Sequence, residues 1–515
     1  MRYLVTSAEM KRYDQNCIER IGIPSVVLME RAALETFYAL REKAWIQAGE
    51  KALILSGVGN NGGDGLALAR LLSEAGMKVF VYVAGNEEKA TVQWKEQREI
   101  LKSYPVVTLQ GLDAIEDAYT VIIDAIFGVG LSREVEGAYK EAISRANELH
   151  GHKVSLDVPS GVSSDDGRIF GIAFQAELTV TYGFEKRGLY LYPGVSAAGE
   201  IRLADVGISS SSFFEEKPDC FVLEEGLEEL LPKRRPDGNK GTFGKALILA
   251  GSKNMAGAAI LCGNACYRLG AGMVKAMTSS DNRVILQETL PEALFGCIED
   301  AKELEKSLEW CDVICVGPGL GKDDQVKNAF DRILEDPNGI HKPLVIDADG
   351  INLLSEDARL RSKVKSQGES GRTIVLTPHP GELLKLVKSL QANEKKNEFL
   401  HMEQLKSRFF EYAMMASREL SAIVVAKDAR SLICFEGRPI CMNLSGNNGM
   451  GTAGSGDVLA GILTAFLCQD HEDAFMTICR GVRTHGLLGD ELAKADSLGS
   501  HGVMASKFCE VIKNR

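Results

Sequence analysis

The sequence predicts an α/β protein built as two three-layer α/β/α domains, each a mainly parallel sheet with helices on both faces. Three observations predict it. At 515 residues the chain is too long for one ordinary core, and its length corresponds to roughly two to four domains. Short apolar runs rich in Val and Ile alternate with helical patterns, the pattern of βαβ units around a parallel sheet. The alternation breaks off once, in "GISSSSFFEEKPD" and "LEELLPKRRPDGNKGTFG", where serine, proline and opposed charges mark a boundary, and then begins again. The expected division is residues 1–215, an entry segment at 216–240, and 241–515.

The elements follow in order. Residues 7–46 carry no strand signal and read as a helical arm. Its first helix is expected to be capped by Ser7, with Met10 rather than an acid three residues on. Its second helix is expected to start at or near Pro24, a residue suited to a first turn. Strands are expected at 51–57, 78–84, 119–126, 153–158 and 178–182. After the break they are expected at 245–250, 273–277, 312–316, 343–347, 373–377 and 422–426. The segment "SLICFEGRPICMN" closes the series as a hairpin, 431–435 and 439–443, turning at Glu436-Gly437.

Composition narrows the function. At 45% hydrophobic and 25% charged residues the chain is an average globular protein, which excludes disorder and fibre. A net charge of −12 argues against a nucleic-acid surface; the largest basic run, "PKRRP" at 232–236, reads as linker. No run approaches the ~18 apolar residues of a membrane helix. "MRYLVTSAEMKRYDQ" lacks the apolar region of a signal peptide, so a cytoplasmic protein is expected. Of twelve cysteines only Cys17 precedes residue 220, most lie in apolar runs such as "WCDVICVG", and none forms C-x-x-C. They read as reduced, buried thiols.

"KALILSGVGNNGGDGLALARLL" (51–72) contains G-x-G-x-x-G at Gly57, Gly59 and Gly62, the dinucleotide fingerprint. A redox NAD site also needs a ribose-binding acid at the end of the next strand. That place holds Ala84 and Gly85; Glu87 and Glu88 come too late. Asn60, Asn61 and Asp64 are moreover more polar than a turn requires. The loop is expected to lead into a helix beginning at about Leu66, capped by Asp64, whose free N–H groups favour phosphate. Two more strand ends carry polar groups to the same rim: Asp124 with Gly128 and Gly130, and Asp157 with Ser160. Ligands of open α/β sheets bind there.

"GNNGGDGLALAR", "DAIFGVGLSREVEG", "LDVPSGVSSDDG" and "TYGFEKRGLYLYPG" together resemble the YjeF N-terminal domain, the NAD(P)H-hydrate epimerases, over about residues 7–210. The resemblance implies a Rossmann-like fold whose ligand is a nicotinamide dinucleotide hydrated on its ring, a substrate rather than a redox cofactor. It places Asn60, Asn61, Gly62, Gly63 and Asp64, and Gly128, Val129, Gly130, Leu131, Ser132, Arg133 and Glu134, around that ligand. It matches Asn61, Asp124 and Ser160 to potassium ligands, oxygen donors that suit a hard cation. It puts Asp157 at the hydrated ring as acid/base for exchange of configuration at C6. Lys186, in "EKRGL", reads equally as a charge-stabilising group or a surface lysine.

The second half offers a different set: "AGSKNMAGAAILCGNACYRLGAGMV", "VGPGLG", "LTPHPGEL" with His379, "VVAKDARSLI" with Lys427, and "GNNGMGTAGSGDVLAGILTAFL". In the last, Gly454, Gly456 and their amides open a strongly apolar helix and can cradle a phosphoryl group, with Asp457 in the first turn to take a proton. G-x-x-x-x-G-K-[ST] is absent. The set resembles the ribokinase-like superfamily in its ADP/ATP-dependent NAD(P)H-hydrate dehydratase branch, over about residues 225–512. That resemblance implies Mg²⁺, and ADP or ATP as phosphoryl donor. It implies hydrate contacts at Ala258, Gly319, His379 and Asp457, and nucleotide contacts at Lys427, Asp428, Ala429, Arg430, Ser431 and Gly456. The nucleotide loop of the family commonly reads K-G-x-x-T; "KDARS" keeps a hydroxyl at Ser431 but adds the charge of Asp428, which leaves the choice between ADP and ATP open.

Both resemblances together imply a bifunctional NAD(P)H-hydrate repair enzyme, isomerase and lyase in one chain. The expected partners are small molecules, not nucleic acid or membrane, in a homo-oligomer. Three rivals are a ribokinase-superfamily vitamin kinase with a non-catalytic ligand-binding first domain, a non-catalytic binding protein, and an NAD dehydrogenase. The attached epimerase-like half, the retained Asp157, and the missing ribose acid weigh against them in turn.

Overall fold

The computed structural model describes residues 1–391, 400–470, 472–508 and 510–511. The described chain divides into two compact units, Tyr3–Cys220 and Phe221–Arg515, the latter with Met1–Arg2.

In the first unit the strands are β1 (Arg2–Val5), β2 (Lys51–Ser56), β3 (Lys78–Val83), β4 (Val107–Leu109), β5 (Ala118–Ala125), β6 (His150–Leu156), β7 (Leu178–Tyr182), β8 (Glu185–Lys186) and β9 (Glu200–Ala204). Seven form a sheet in the order β4-β3-β2-β5-β6-β7-β9, all parallel. The inner strands β2, β5 and β7 are almost wholly buried apolar runs, as a sheet covered on both faces requires. The strand order reverses between β2 and β5, so a crevice opens beyond their carboxyl ends. β1 pairs with β8 apart from that sheet, setting Val5 opposite Lys186.

Two details of this unit correct the sequence reading. Thr6, not Ser7, caps the first helix, Ser7–Gln15: Glu9 N–H donates to Thr6 Oγ1 (3.2 Å) and Thr6 N–H to Glu9 Oε2 (2.7 Å). The capping box lies one residue earlier than expected, and Ser7 is instead tied to Asp165. The second helix, Ser25–Glu42, does begin at Pro24. The helix after β2 starts at Asn60, not near Leu66, so Asp64 sits inside it and caps nothing. Its glycines are there for close approach. A Cβ on Gly62 would lie 1.9 Å from the Gly57 carbonyl oxygen, and one on Gly65 would lie 2.6 Å from Ala125 Cβ. The first turns of this helix press directly on β2 and β5.

The second series opens with β10 (Cys220–Val222) and continues with β11 (Lys245–Leu249), β12 (Met273–Thr278), β13 (Leu294–Cys297), β14 (Val313–Val316), β15 (Leu344–Ile346), β16 (Ile374–Leu376), β17 (Ile423–Ala426), β18 (Leu432–Cys434) and β19 (Ile440–Met442). The order β13-β12-β11-β14-β15-β16-β17 is parallel throughout. β17-β18-β19 adds the antiparallel hairpin expected at Glu436-Gly437. The order reverses between β11 and β14, again creating a crevice at the carboxyl ends. The apolar helix Ser455–Gln469 packs on Ala256–Arg268 so tightly that a Cβ on Gly461 would stand 2.2 Å from the Cys262 carbonyl oxygen. Eleven cysteines are free among the described residues, all but Cys297 buried.

Candidate active sites

A cavity of about 520 Å³ occupies the crevice of the first unit. Asn60, Asn61 and Asp64 reach its wall from the helix after β2, Gly128 to Leu131 from the loop after β5, and Asp157 from the loop after β6. Gly62 and Gly63 are buried behind that wall, and Ser132, Arg133 and Glu134 are exposed outside it.

Asp157 has left-handed backbone (φ +67), a strained conformation for a non-glycine residue. It is over-determined by its partners. Its N–H donates to the Val180 carbonyl (2.7 Å), and its Oδ1 accepts from Lys186 Nζ (2.5 Å), Thr181 Oγ1 (3.3 Å) and Tyr182 N–H (3.3 Å). Lys186 is therefore no surface lysine. It is wholly buried and also donates to Thr181 Oγ1 (3.1 Å) and the Tyr182 carbonyl (2.8 Å). A buried ammonium beside a buried carboxylate answers the desolvation of both.

Behind the rim lies a polar network. Buried Asp124 accepts from Ser160 Oγ (2.6 Å), Ser160 N–H (2.7 Å), Ser155 Oγ (3.1 Å) and Ile126 N–H (3.2 Å). Burial pushes its carboxyl up to about 6, while the bonds from Ser160 pull the other way. Ser160 Oγ accepts from Phe127 N–H (2.9 Å), and Asn61 Nδ2 donates to the Phe127 carbonyl (2.8 Å). Asn61 Oδ1 is buried with no partner among the described residues. An orphaned amide oxygen next to a serine–carboxylate network is the donor set that a hard cation completes.

Sequence reasoning passed over two groups here, Asp14 on the first helix and Tyr182, both in the cavity wall. Asp14 sits in an unremarkable helical stretch, "KRYDQNC", and no spacing singles it out. Burial and the neighbouring Asp157 and Asp14 charges hold Asp64 well above the usual carboxylate range.

In the second unit the polar groups gather at the carboxyl ends of β11 and β14 to β17. Gly454 takes left-handed backbone (φ +90) to open the helix Ser455–Gln469, which aims the amides of its first turn at the site. Lys427, after β17, donates from Nζ to Asp347 Oδ1 (2.9 Å) and lies 3.4 Å from where a Cβ on Gly456 would be. Asp347, buried after β15, also accepts from Thr377 Oγ1 (2.5 Å); it too was missed in the sequence. Burial, then the Asp347 charge, push the Asp457 carboxyl up to about 6 against the pull of Lys427. Burial alone would lower the Lys427 ammonium, but Asp347, Glu382 and Asp457 outweigh it and hold it above its usual range.

Gly319 and Ala258 are neighbours: a Cβ on Gly319 (φ +54) would stand 2.8 Å from Ala258 Cβ. His379 serves at least as a helix cap. Its Nδ1 accepts from Gly381 N–H (3.0 Å), and its own N–H donates to Glu382 Oε2 (2.9 Å). Asp428 and Ala429 are exposed beyond β17, and Arg430 and Ser431 half-buried. Behind the glycine turn, buried His485 Nε2 stands 3.3 Å from Ser455 Oγ, its pKa pushed down to about 3 by burial and by the Lys427 charge.

The fold and these two crevices define a class: a two-unit α/β enzyme with a carboxylate–lysine pair at each strand-end site. Comparison with known proteins narrows this. Residues 246–513 match the family model described as NAD(P)H-hydrate dehydratase, and residues 25–188 the model for the YjeF-related protein N-terminus. The bifunctional NAD(P)H-hydrate repair enzyme of Moorella thermoacetica is 33% identical over 99% of this chain and 96% of its own. That of Coxiella burnetii is 33% identical over 98% of each. The ADP/ATP-dependent NAD(P)H-hydrate dehydratase of Bacillus subtilis, co-crystallised with ATP/Mg²⁺, is 26% identical over 56% of this chain and 95% of that one, with a TM-score of 0.45. The chain belongs to the family of bifunctional NAD(P)H-hydrate repair enzymes. Of the readings weighed above, the vitamin kinase is not favoured. No described helix is long and apolar enough to cross a membrane.

Proposed function

We propose that this chain repairs hydrated NADH and NADPH in two steps: the first unit interconverts the R and S hydrates at C6, and the second dehydrates the S hydrate at the expense of ADP or ATP. The observation that carries the first step is Asp157, strained, buried and paired with Lys186 at the wall of a cavity of about 520 Å³. The helix beginning at Asn60 presents free N–H groups to the dinucleotide's phosphates. Asp157 exchanges a proton at the C6 hydroxyl, and Lys186 steadies its charge. Asn61, Asp124 and Ser160 would hold K⁺, which supplies positive charge beside those phosphates.

In the second unit Asp457 takes the proton of the C6 hydroxyl as that oxygen attacks the nucleotide's terminal phosphorus. The amides of the turn at Gly454–Gly456, and Lys427 held by Asp347, face the transferring group. Phosphate then leaves C6 with its bonding pair, C5 yields a proton to solvent, and the C5–H pair forms the C5=C6 bond that restores the dihydronicotinamide. Mg²⁺ would offset the repulsion between the nucleotide's phosphates. Ala258 and Gly319 leave room for the hydrate beside Asp457, and Lys427 to Ser431 rim the nucleotide.

The test mixes the full chain, ADP or ATP, and racemic NADH hydrate, and follows absorbance at the NADH band. Complete recovery is expected. Asp157→Asn should stop at the S fraction, apart from spontaneous epimerisation, and Asp457→Asn should recover nothing. Complete recovery at the unmodified rate by either variant would overturn the assignment of that residue.

A further inference from the structure

We propose that Asp14 is a second acid/base residue of the first site, serving the ring face that Asp157 does not. The inference rests on the epimerase reading above and goes beyond it. Its starting point is chemical. Inverting C6 by loss and return of water needs a proton donor where the hydroxyl departs and an acceptor where water returns. Those places are on opposite faces of a flat ring, and the two groups must exchange roles in the reverse direction. One carboxylate on one wall does not serve both.

Asp157 enters the cavity from the loop after β6, whereas Asp14 enters from the last turn of the helix Ser7–Gln15. The other titratable groups in the wall are less suited. Lys186 is committed to three partners. The Tyr182 hydroxyl is paired with Thr36 (2.9 Å), and burial and nearby carboxylates raise it well above its usual range. Asp64, on the helix that begins at Asn60, is raised well above the carboxylate range by burial and by the Asp157 and Asp14 charges together. The Tyr139 hydroxyl packs on Gly85, and Lys11 lines the wall one turn before Asp14 with an exposed side chain.

Asp14, like Asp64, is half-buried and accepts no hydrogen bond at its carboxyl among the described residues. Unlike Asp64, it stands on the first helix and feels the Lys186 charge. Burial and then the Asp157 charge raise it, while Lys186 pulls it back. Cys17, one turn on, is raised in turn by burial and the Asp14 charge. A carboxyl that is partly wet, unpaired and raised by burial can be protonated, discharge, and be reloaded from solvent.

The step balances as follows. The Asp14 proton passes to the C6 hydroxyl oxygen, the C6–O bond breaks, and its electron pair leaves on water. The N1 lone pair forms the C6=N1 bond of a ring cation. Water adds to the other face, forming the new C6–O bond and yielding its proton to Asp157, and the C6=N1 pair returns to N1. Nothing is oxidised or reduced. Solvent restores the proton to Asp14 and removes it from Asp157.

The test is Asp14→Asn in the full chain, with R and S hydrates separated chromatographically over time. Interconversion should fall roughly 10²-fold or more. Dehydration of pure S hydrate, which occurs in the other unit, and the thermal midpoint should not change, which excludes misfolding. The unmodified chain should show a bell-shaped pH profile, Asp14→Asn should lose the alkaline limb, and Asp14→Glu should keep it. An unchanged rate in Asp14→Asn, or a lower rate with both limbs retained, overturns the proposal while leaving Asp157 in its role. Absence of interconversion in the unmodified chain overturns the epimerase reading itself.

Discussion

Asp457 shows how single residues set the working range of this enzyme. In the proposed phosphoryl transfer Asp457 is the base and has to be ionised, and burial together with Asp347 pushes this carboxyl up to about 6. Dehydration of S hydrate should therefore rise with pH through about 6 and level off above it, measured as kcat/KM across the acid range. Asp347→Asn removes the like charge, so the limb should move to lower pH. The same change leaves Lys427 without its 2.9 Å partner, so the KM for nucleotide should rise. A limb that stays in place in Asp347→Asn would show that burial alone sets the Asp457 pKa. Asp347 and Lys427 lie 80 residues apart in sequence and meet only because β15 and β17 flank β16. That explains why Lys427 was legible, at the end of an apolar strand, and Asp347 in "VIDADG" was not.

At the scale of elements, packing between helices fixes the second site. Ala258 and Asp457 stand near the starts of two helices that approach closely at Gly461. Gly461→Ala forces a methyl against the Cys262 carbonyl and Ala265 Cβ, and should cost ~1–3 kcal/mol of stability by overpacking. It should also lower the dehydration rate, because the helices that carry the proposed substrate contacts must shift. Gly257→Ala, in the same helix as Ala258 but with nothing within 4 Å of the new methyl, is the control: it should raise stability by up to ~1 kcal/mol and leave the dehydration rate unchanged. Urea midpoints and kcat for both variants decide the matter; equal effects would mean that the interhelical contact is not what holds the site. The same logic marks the limits of sequence reading. The central strands were legible because a doubly covered parallel strand is a continuous apolar run, as in "KALIL" of both β2 and β11. β1, β4, β8, β9, β10 and β13, two to five residues each, carry too little pattern to stand out. The helix start at Asn60 was hidden because glycines that permit close approach look, in sequence, like glycines that make a turn.

For the molecule as a whole, the consequential fact is that each site is assembled from one unit. The cavity of the first is walled by residues between Met10 and Ile208, and the carboxylate–lysine cluster of the second by residues between Ala258 and Asp457. On the proposed reading the hydrate is an exchanging intermediate, released as S or R by the first site and captured as S by the second. Two chains with complementary lesions should consequently restore each other. A mixture of Asp157→Asn and Asp457→Asn chains, given ADP or ATP and racemic NADH hydrate, should recover the full absorbance, although Asp157→Asn alone stops at the S fraction. The second phase should scale with the concentration of the Asp457→Asn chain, because that chain supplies the only catalysed epimerisation. Recovery that stops at the S fraction in the mixture, with each chain shown to retain its own intact activity, would mean that the hydrate passes between sites only within one molecule.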